Sequence, residues 1–128
     1  MTRFQDLSVI TTADLEAAID RNDPDELILV PITAALLAED PGPAVDACVR
    51  LSRHAVPRIR ANAIASLGHL ARRFRRLDEG LVRPVIEDGL RDDAEMIRSS
   101  AQSAADEIHQ FLHWTFPGHT FGCSDPCR

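Results

Sequence analysis

The 128-residue chain contains no lysine and no tyrosine, one tryptophan and five phenylalanines. Aromatic residues make up only 5% of it, and its apolar mass is mostly Ala, Leu, Ile and Val. A protein built mainly of β-strands would use more aromatic and β-branched residues, so this composition favours closely packed helices. All 14 basic residues are Arg. We interpret this bias as genomic rather than functional.

Long apolar runs are also missing. No window approaches the roughly 18–20 apolar residues that a membrane-spanning helix needs. The N-terminal sequence MTRFQDLSVITT lacks the long apolar segment of a signal peptide. We therefore predict a cytoplasmic protein without a membrane partner. In that compartment its three cysteines, Cys48, Cys123 and Cys127, are expected to be thiols rather than a disulfide framework.

The net charge of −6 argues against a protein whose main task is to coat nucleic acid, and it is compatible with a basic protein partner. The charges fall in three blocks: residues 1–46 carry a net −8, residues 47–76 a net +8 and residues 77–128 a net −6. One interpretation is internal, in which neighbouring helices pair their charges while Arg60 and Arg98 tie a helix to a turn. Each exposed pair of this kind contributes about 0–1 kcal/mol.

The other interpretation is that the blocks present patches to a ligand. The run RRFRR (Arg72, Arg73, Arg75, Arg76) would then bind phosphate or acidic groups. A basic partner would meet the acidic patch, which has eight partner-binding candidates: Asp20, Asp23, Asp25, Glu26, Asp88, Asp92, Asp93 and Glu95.

No segment alternates at period two over the length of a strand, so the predicted fold class is all-α. The helical period and the turn residues predict about six helices, at 12–21, 24–38, 43–53, 57–74, 79–90 and 94–113. We expect one domain, residues 1–128, in which these helices pair as three antiparallel hairpins (12–38, 43–74, 79–113) before an irregular tail (114–128). Pro31 should kink the second helix or break it in two. The apolar run 27–37 predicts that this helix is covered on several sides.

The stretch PRIRANAIASLGHLARRF, residues 57–74, returns in degraded form 38 residues later. With that offset Ile59 falls on Ile97, Ala63 on Ala101, Leu70 on Ile108 and Phe74 on Leu112. The preceding short helices follow the same offset, with Ala47 on Val85 and Cys48 on Ile86. One hairpin cannot bury its apolar face alone, so such units are expected to stack.

In PRIRANAIASLGHL and AEMIRSSAQSAADEI the chain resembles the HEAT-repeat family. Each stretch has an apolar residue, Arg, two spacers and then Ala, and RDDAE is similar to the acidic turn that precedes this Arg. The resemblance covers about residues 43–113, and the second unit departs from the first where Ala105 and Asp106 replace Leu67 and Gly68. It implies a short right-handed superhelical stack, a HEAT-like α-solenoid, that binds proteins along its second helices and implies no chemistry. A generic irregular helix bundle is the alternative.

A metal site is the first chemical hypothesis to weigh. His109 and His113 are four residues apart on one helical face, and His119, Cys123 and Cys127 follow, which is enough ligands for Zn²⁺. The spacing lacks the tight C-x2-C of a zinc ribbon. The two helical histidines could instead contact the carbonyl end of their helix, and the two tail cysteines could form a local disulfide. We predict neither a metal nor a cofactor.

Catalysis is not expected either. Cys48 lies on an apolar helix face as a small core residue, the glycines are scattered, and the carboxylate pairs fall at helix ends and turns. We therefore predict no enzyme activity and no catalytic residues. The aromatic cluster near the C-terminus, Phe111, Trp114, Phe116 and Phe121, either folds back over the last hairpin or forms an exposed contact for a partner.

A small acidic helical-repeat protein of bacterial appearance without a catalytic set looks like an immunity protein or antitoxin, by analogy of size, charge and fold. Such proteins often block a basic nuclease toxin with a dense acidic patch, so the expected partner is a basic toxin domain. The alternatives are a HEAT-type regulatory or assembly adaptor, a HEAT-like lyase handling a tetrapyrrole or similar ligand, and a nucleic-acid-binding protein. The last would use one helical side of Arg58, Asn62, His69, Arg72 or Arg73, and Arg76, but the acidic charge argues against it.

Overall fold

A computed structural model describes residues 11–119, which form seven helical segments and no strand. The all-α prediction is therefore confirmed for this part of the chain. None of the helices in these residues is long and apolar enough to cross a membrane. The segments are α1 (Thr12–Arg21), α2 (Pro24–Leu27), α3 (Val30–Leu37), α4 (Pro41–Leu51), α5 (Pro57–Phe74), α6 (Glu79–Leu90) and α7 (Glu95–Leu112).

The first two helices begin where side chains satisfy their free N–H groups. Thr11 Oγ1 accepts the Asp14 N–H at 3.1 Å, and the Asp14 carboxylate accepts the Thr11 N–H at 3.0 Å, which forms a capping box. Asp23 accepts the Asp25 N–H at 3.1 Å, and Pro24 follows at the first helical position. Both helix starts agree with the sequence prediction.

Pro31 divides the second predicted helix into α2 and α3. The break leaves the Ile28 carbonyl without a partner in its own helix, and Asn62 Nδ2 of α5 donates to it at 2.8 Å. The prediction that this apolar run is covered on several sides holds in part. α3 contacts α1, α2, α4 and α5, but Leu29 and Leu36 are 59% and 61% exposed.

Two further proline positions show what helices tolerate. α4 begins at Pro41 and ends at Leu51, two residues earlier at each end than predicted. Pro41 and Pro43 both fit in its first turn, where N–H groups have no intrahelical acceptor. α6 continues through Pro84 to Leu90.

The 38-residue offset of the sequence also separates the helices. α5 and α7 are both 18 residues long and begin at Pro57 and Glu95. Each ends before a residue with left-handed backbone, Arg75 (φ 59°) and His113 (φ 66°). The buried positions follow the same offset: Ile59 and Ile97, Ala63 and Ala101, Leu70 and Ile108, Ala47 and Val85, Cys48 and Ile86.

Helix contacts fall into two rows. α4 contacts α1 on one side and α6 on the other, while α5 contacts α3 and α7. Between the rows, α4 packs against α5, and α6 packs against α7. The contact of α1 with α4 is more extensive than the contact of α1 with α3. The most extensive contact joins α5 to α7. At that contact a Cβ added to Gly68 would lie 2.9 Å from Ala104 Cα, so glycine permits the close approach.

Candidate functional site

Three helix–helix turns lie along one edge of the molecule, which we call the turn edge (residues 20–26, 52–60 and 88–95). His54 of the second turn bridges to the first, because its Nε2–H donates to Asn22 Oδ1 at 2.7 Å. Its Nδ1 accepts the Val56 N–H at 3.0 Å. Arg60 bridges to the third turn through Asp92 Oδ2 at 3.4 Å. These contacts place segments far apart in sequence side by side.

All eight acidic partner-binding candidates lie at the two ends of the turn edge, four on its first turn and four on its third. Several of them have roles inside the molecule. Glu26 accepts two bonds from Arg21, at 3.0 and 2.6 Å, and these bonds raise the pKa of the guanidinium. Asp23 caps α2, and Asp88 lies 3.3 Å from Arg91.

Asp92 contacts three other residues within the molecule, Arg60, Ala94 and Arg98. Besides Arg60, it accepts the Ala94 N–H at 2.8 Å, just before α7 begins. Arg98 donates to the backbone carbonyls of Asp92 and Asp93, each at 2.8 Å. The prediction that Arg60 and Arg98 tie a helix to a turn is therefore confirmed. Asp92 is a structural residue as much as a candidate contact.

Four of the eight carboxylates are exposed and make neither an ion pair nor a side-chain hydrogen bond with any residue between 11 and 119: Asp20, Asp25, Asp93 and Glu95. Between the acidic ends, the middle of the turn edge carries Arg53 and Arg58, which are exposed and likewise unpaired within that range. The turn edge is therefore acidic, basic and acidic along its length. The order of signs is that of the three charge blocks of the sequence, but the sequence did not show that these turns lie side by side, because that follows from helix packing.

A small cavity of about 80 Å³ opens on the turn edge between its second and third turns. Its floor is apolar, with Ile64, Val85 and Ile97, and Arg53 and Asp88 are among its charged walls. Its volume suits one side-chain group rather than a substrate or cofactor.

The RRFRR run does not form a free cationic site. Arg72 Nη1 lies 3.1 Å from Glu107, and Arg73 donates to the Ala35 carbonyl at 3.1 Å. Arg75 stacks over the Phe111 ring, 4.7 Å from its centroid. Arg76, whose side chain is 72% exposed, approaches Asp40 at 4.0 Å. The run joins α5 to its neighbours, which favours the internal interpretation, although all four arginines are exposed.

Ion pairs connect the basic block to both acidic blocks, as the internal interpretation predicted. Arg50 pairs with Glu16 at 2.7 Å on the N-terminal side. Arg72 and His69 both contact Glu107 on the C-terminal side. Most of the helical side considered for nucleic acid is thus engaged within the molecule, including Asn62 on the Ile28 carbonyl.

Three of the five metal-ligand candidates lie in the described part of the chain. His109 Nδ1–H donates to the Trp114 carbonyl at 2.8 Å, His119 Nε2–H donates to Asp106 at 3.0 Å, and His113 ends α7. Within residues 11–119, no three His, Cys, Asp or Glu side chains are placed to hold a metal ion. Cys123 and Cys127 lie outside the described residues.

The segment after α7 folds back on the helices. Phe116 is only 2% exposed, and Arg83 of α6 lies over the rings of Trp114 and Phe116, at 5.5 and 5.0 Å. Arg83 also donates to the Thr115 carbonyl at 2.8 Å, while its hydrogen bond to Glu79 raises its pKa. The expected fold-back is confirmed for residues 114–119, and Phe121 lies outside the described residues.

Two further cavities among the described residues are larger, and the first of them reaches the third turn at Leu90 and Arg91. One, of about 380 Å³, is bounded by the end of α6, Gln102 of α7 and residues 117–119. The other, of about 320 Å³, lies at the opposite ends of α4 and α6 from the turn edge; we call it the apolar groove. It is lined by Pro41, Gly42, Val45, Arg76, Leu77, Asp78 and Leu81.

Cys48 is fully buried in α4, and this burial raises the pKa of its thiol to about 12. The thiol is therefore neutral near pH 7 and is shielded from solvent. The prediction of a small core residue is confirmed, since a reactive cysteine needs an accessible thiolate.

Comparisons with family models, with curated proteins and with solved structures find no match to this chain. The surfaces therefore have to be interpreted from their own geometry.

Proposed function

We propose that this chain is a non-catalytic protein-binding module built as a short HEAT-like stack of helix hairpins. The support is the 38-residue offset, which the sequence pattern, the helix ends and the buried positions of α4–α5 and α6–α7 all share. The contacts of α4 with α6 and of α5 with α7 are those of two successive hairpins. Repeat stacks of this kind offer extended binding surfaces.

The specific proposal is a cytoplasmic immunity protein or antitoxin that blocks a basic, nuclease-type toxin. The observation that carries it is the set of four exposed carboxylates with neither an ion pair nor a side-chain hydrogen bond in residues 11–119. These are Asp20, Asp25, Asp93 and Glu95, on turns that His54 and Arg60 join into one edge. Such charges accelerate the encounter with an oppositely charged protein. The basic centre at Arg53 and Arg58 requires acidic groups in the middle of the partner's contact surface.

The first experiment identifies the partner by affinity purification from the native source with mass spectrometry. Association rates are then measured between about 50 and 500 mM salt for the wild type and for Asp93→Asn/Glu95→Gln. We expect about a tenfold lower association rate and a flatter salt dependence for the double variant, because steering depends on local charge.

The matched control is Ser103→Arg/Gln110→Arg, which changes the net charge by the same amount at exposed positions of α7 away from the turn edge. We expect its association rate to stay within about twofold of the wild type at physiological salt. An equal decrease in the association rate for both double variants would contradict a role for the turn edge.

A HEAT-type adaptor is the second candidate, and the exposed apolar side chains of α3 favour it. Leu29 and Leu36 are seven residues apart on one side of this helix. An adaptor binding through this helix face would form a complex insensitive to salt. Leu36→Asp would weaken that complex, whereas Asp93→Asn/Glu95→Gln would leave it unchanged.

A further inference from the structure

The apolar groove is a gap between equivalent ends of two helices. Pro41 and Val45 line it from α4, and Leu77 and Leu81 line it from the start of α6 and the residues before it. Leu81 is 46% exposed, although Pro41 and Val45 are buried. The groove thus has an apolar floor and one open apolar wall.

One repeat further along, the corresponding gap is filled by the chain itself. The residue 38 positions after Val45 is Arg83, and the residue 38 positions after Asp78 is Phe116. The Arg83 guanidinium lies 5.0 Å from the Phe116 ring, and Phe116 is buried in the core. By the 38-residue offset, the pair Arg83 and Phe116 thus corresponds to Val45 and Asp78, with an aromatic ring in place of a carboxylate.

Acidic groups surround the mouth of the apolar groove. Asp78 and Gly42 line it, and the Asp40 carboxylate lies 3.1 Å from the position of a Cβ added to Gly42. Glu39 is exposed next to Asp40. The one basic group there, Arg76, already approaches Asp40. A ligand with cationic groups beside its apolar part would match this rim.

We propose that the apolar groove accepts a Phe or Trp side chain from a segment of a partner protein in which Arg or Lys flanks the aromatic residue. This rests on the proposed function as a protein-binding module and extends it to a second contact area. The aromatic anchor follows from the Phe116 precedent, and the basic flanks follow from the acidic rim. Buried aromatic anchors with polar surroundings are the usual centres of binding energy in protein interfaces.

The experiment titrates the ¹⁵N-labelled full chain with Ac-Arg-Phe-Arg-NH2 and follows its amide resonances by NMR. We expect the largest shifts at Val45, Leu77 and Leu81. Ac-Arg-Ser-Arg-NH2, without the anchor, and Ac-Glu-Phe-Glu-NH2, with reversed flanks, should each bind about tenfold more weakly, equal to about 1.4 kcal/mol. Equal binding of all three peptides, or shifts confined to other surfaces, would overturn the proposal.

Two variants test the same groove from the protein side. Leu81→Asp makes the open wall charged and Leu81→Trp fills the space, and each should weaken Ac-Arg-Phe-Arg-NH2 about tenfold. Met96→Asp is the matched control, because Met96 at the start of α7 is a similarly exposed apolar residue that does not line the apolar groove. Circular dichroism and thermal unfolding establish that all three variants fold. Full peptide binding by folded Leu81 variants would overturn the assignment.

The remaining outcomes separate this inference from the proposed function. Binding of uncharged N-acetyl-phenylalaninamide as tightly as the tripeptide would overturn the basic-segment partner in favour of a small aromatic ligand. Tripeptide binding that is retained in Asp93→Asn/Glu95→Gln, with no steering effect on any captured partner, would support the apolar groove and overturn only the turn-edge proposal.

Discussion

The helix pairs α4–α5 and α6–α7 share a 38-residue offset in their helix starts and buried positions but carry different side chains. Their second helices have the same length and the same left-handed ends, yet Leu67 and Gly68 of α5 correspond to Ala105 and Asp106 of α7. α5 has helix neighbours on two sides in its row, α3 and α7. Position 106 of α7 instead faces the returning segment, where Asp106 accepts a bond from His119. The spacing of buried positions thus determines where the helices begin and end. The neighbours of each helix determine which side chains fit at the corresponding positions.

Leu67→Ala gives α5 the residue that α7 has at the same place and should have the largest effect. Leu67 is fully buried. Removing its side chain leaves a cavity between α5 and its neighbours and should lower the free energy of unfolding by about 3 kcal/mol. Urea denaturation followed by circular dichroism measures this, with the exposed Leu36→Ala as control, expected within about 0.5 kcal/mol of the wild type. Equal losses in both variants would mean that the two positions are packed alike.

Gly68→Ala tests the close contact between Gly68 of α5 and Ala104 of α7. The corresponding residue of α7, Asp106, makes no such close contact with a helix in the described part of the chain. The added methyl group would meet Ala104 Cα, a backbone atom, at 2.9 Å. We expect a loss of about 2 kcal/mol, because the helices must separate, despite the better helix propensity of alanine. In Gly80→Ala the new Cβ lies 3.4 Å from the Asp78 side chain, so stability should stay equal or rise slightly. A higher melting temperature for Gly68→Ala would contradict the tight interface.

Cys48 of α4 corresponds to Ile86 of α6, and only the cysteine can make the free energy of unfolding depend on pH. Burial raises the Cys48 pKa from an ordinary 9.0 to about 12, so the unfolded chain loses this proton at a lower pH than the folded one. The neutral thiol therefore stabilises the fold below about pH 9, and this stability is lost as the pH rises from 9 towards 12.

We expect the stability difference between the wild type and Cys48→Ala to shrink by about 1 kcal/mol between pH 8 and pH 10. Urea denaturation at the two pH values measures it, and the other two thiols cancel because both proteins contain them. A difference that does not change with pH would show that Cys48 is accessible as a thiolate in the folded chain.

Much of the fold could be predicted because it depends on local patterns. The bounds of α1, α5 and α6 agree with the predicted ranges 12–21, 57–74 and 79–90. The prediction that Pro31 kinks or breaks the second helix was correct, because the helix is divided before α3. The open side of α3 could not be predicted, because an apolar run specifies what prefers burial and not which neighbours are present to bury it.

The candidate surfaces were less predictable than the helices. The acidic residues were identified individually, but whether they are free depends on geometry: Glu26 and Asp92 are held by Arg21 and Arg60, whereas Asp93 is not paired within residues 11–119. The apolar groove was missed because its walls come from two separate stretches, 41–45 and 76–81. The 38-residue offset was the available signal, since it places Asp78 where an aromatic residue stands one repeat later.

The starts of α4 and α6 are 38 residues apart, so the segment 41–78 can be treated as one repeat unit. Pro41 and Glu79 each open a first helix, so a second copy of residues 41–78 inserted between Asp78 and Glu79 would start and finish in backbone conformations that the protein already uses. Such an elongated version would keep its own closing segment at Phe116 and acquire one additional groove of the same kind. In the repeat stack that we propose, the number of repeats would thus increase by one with each inserted unit.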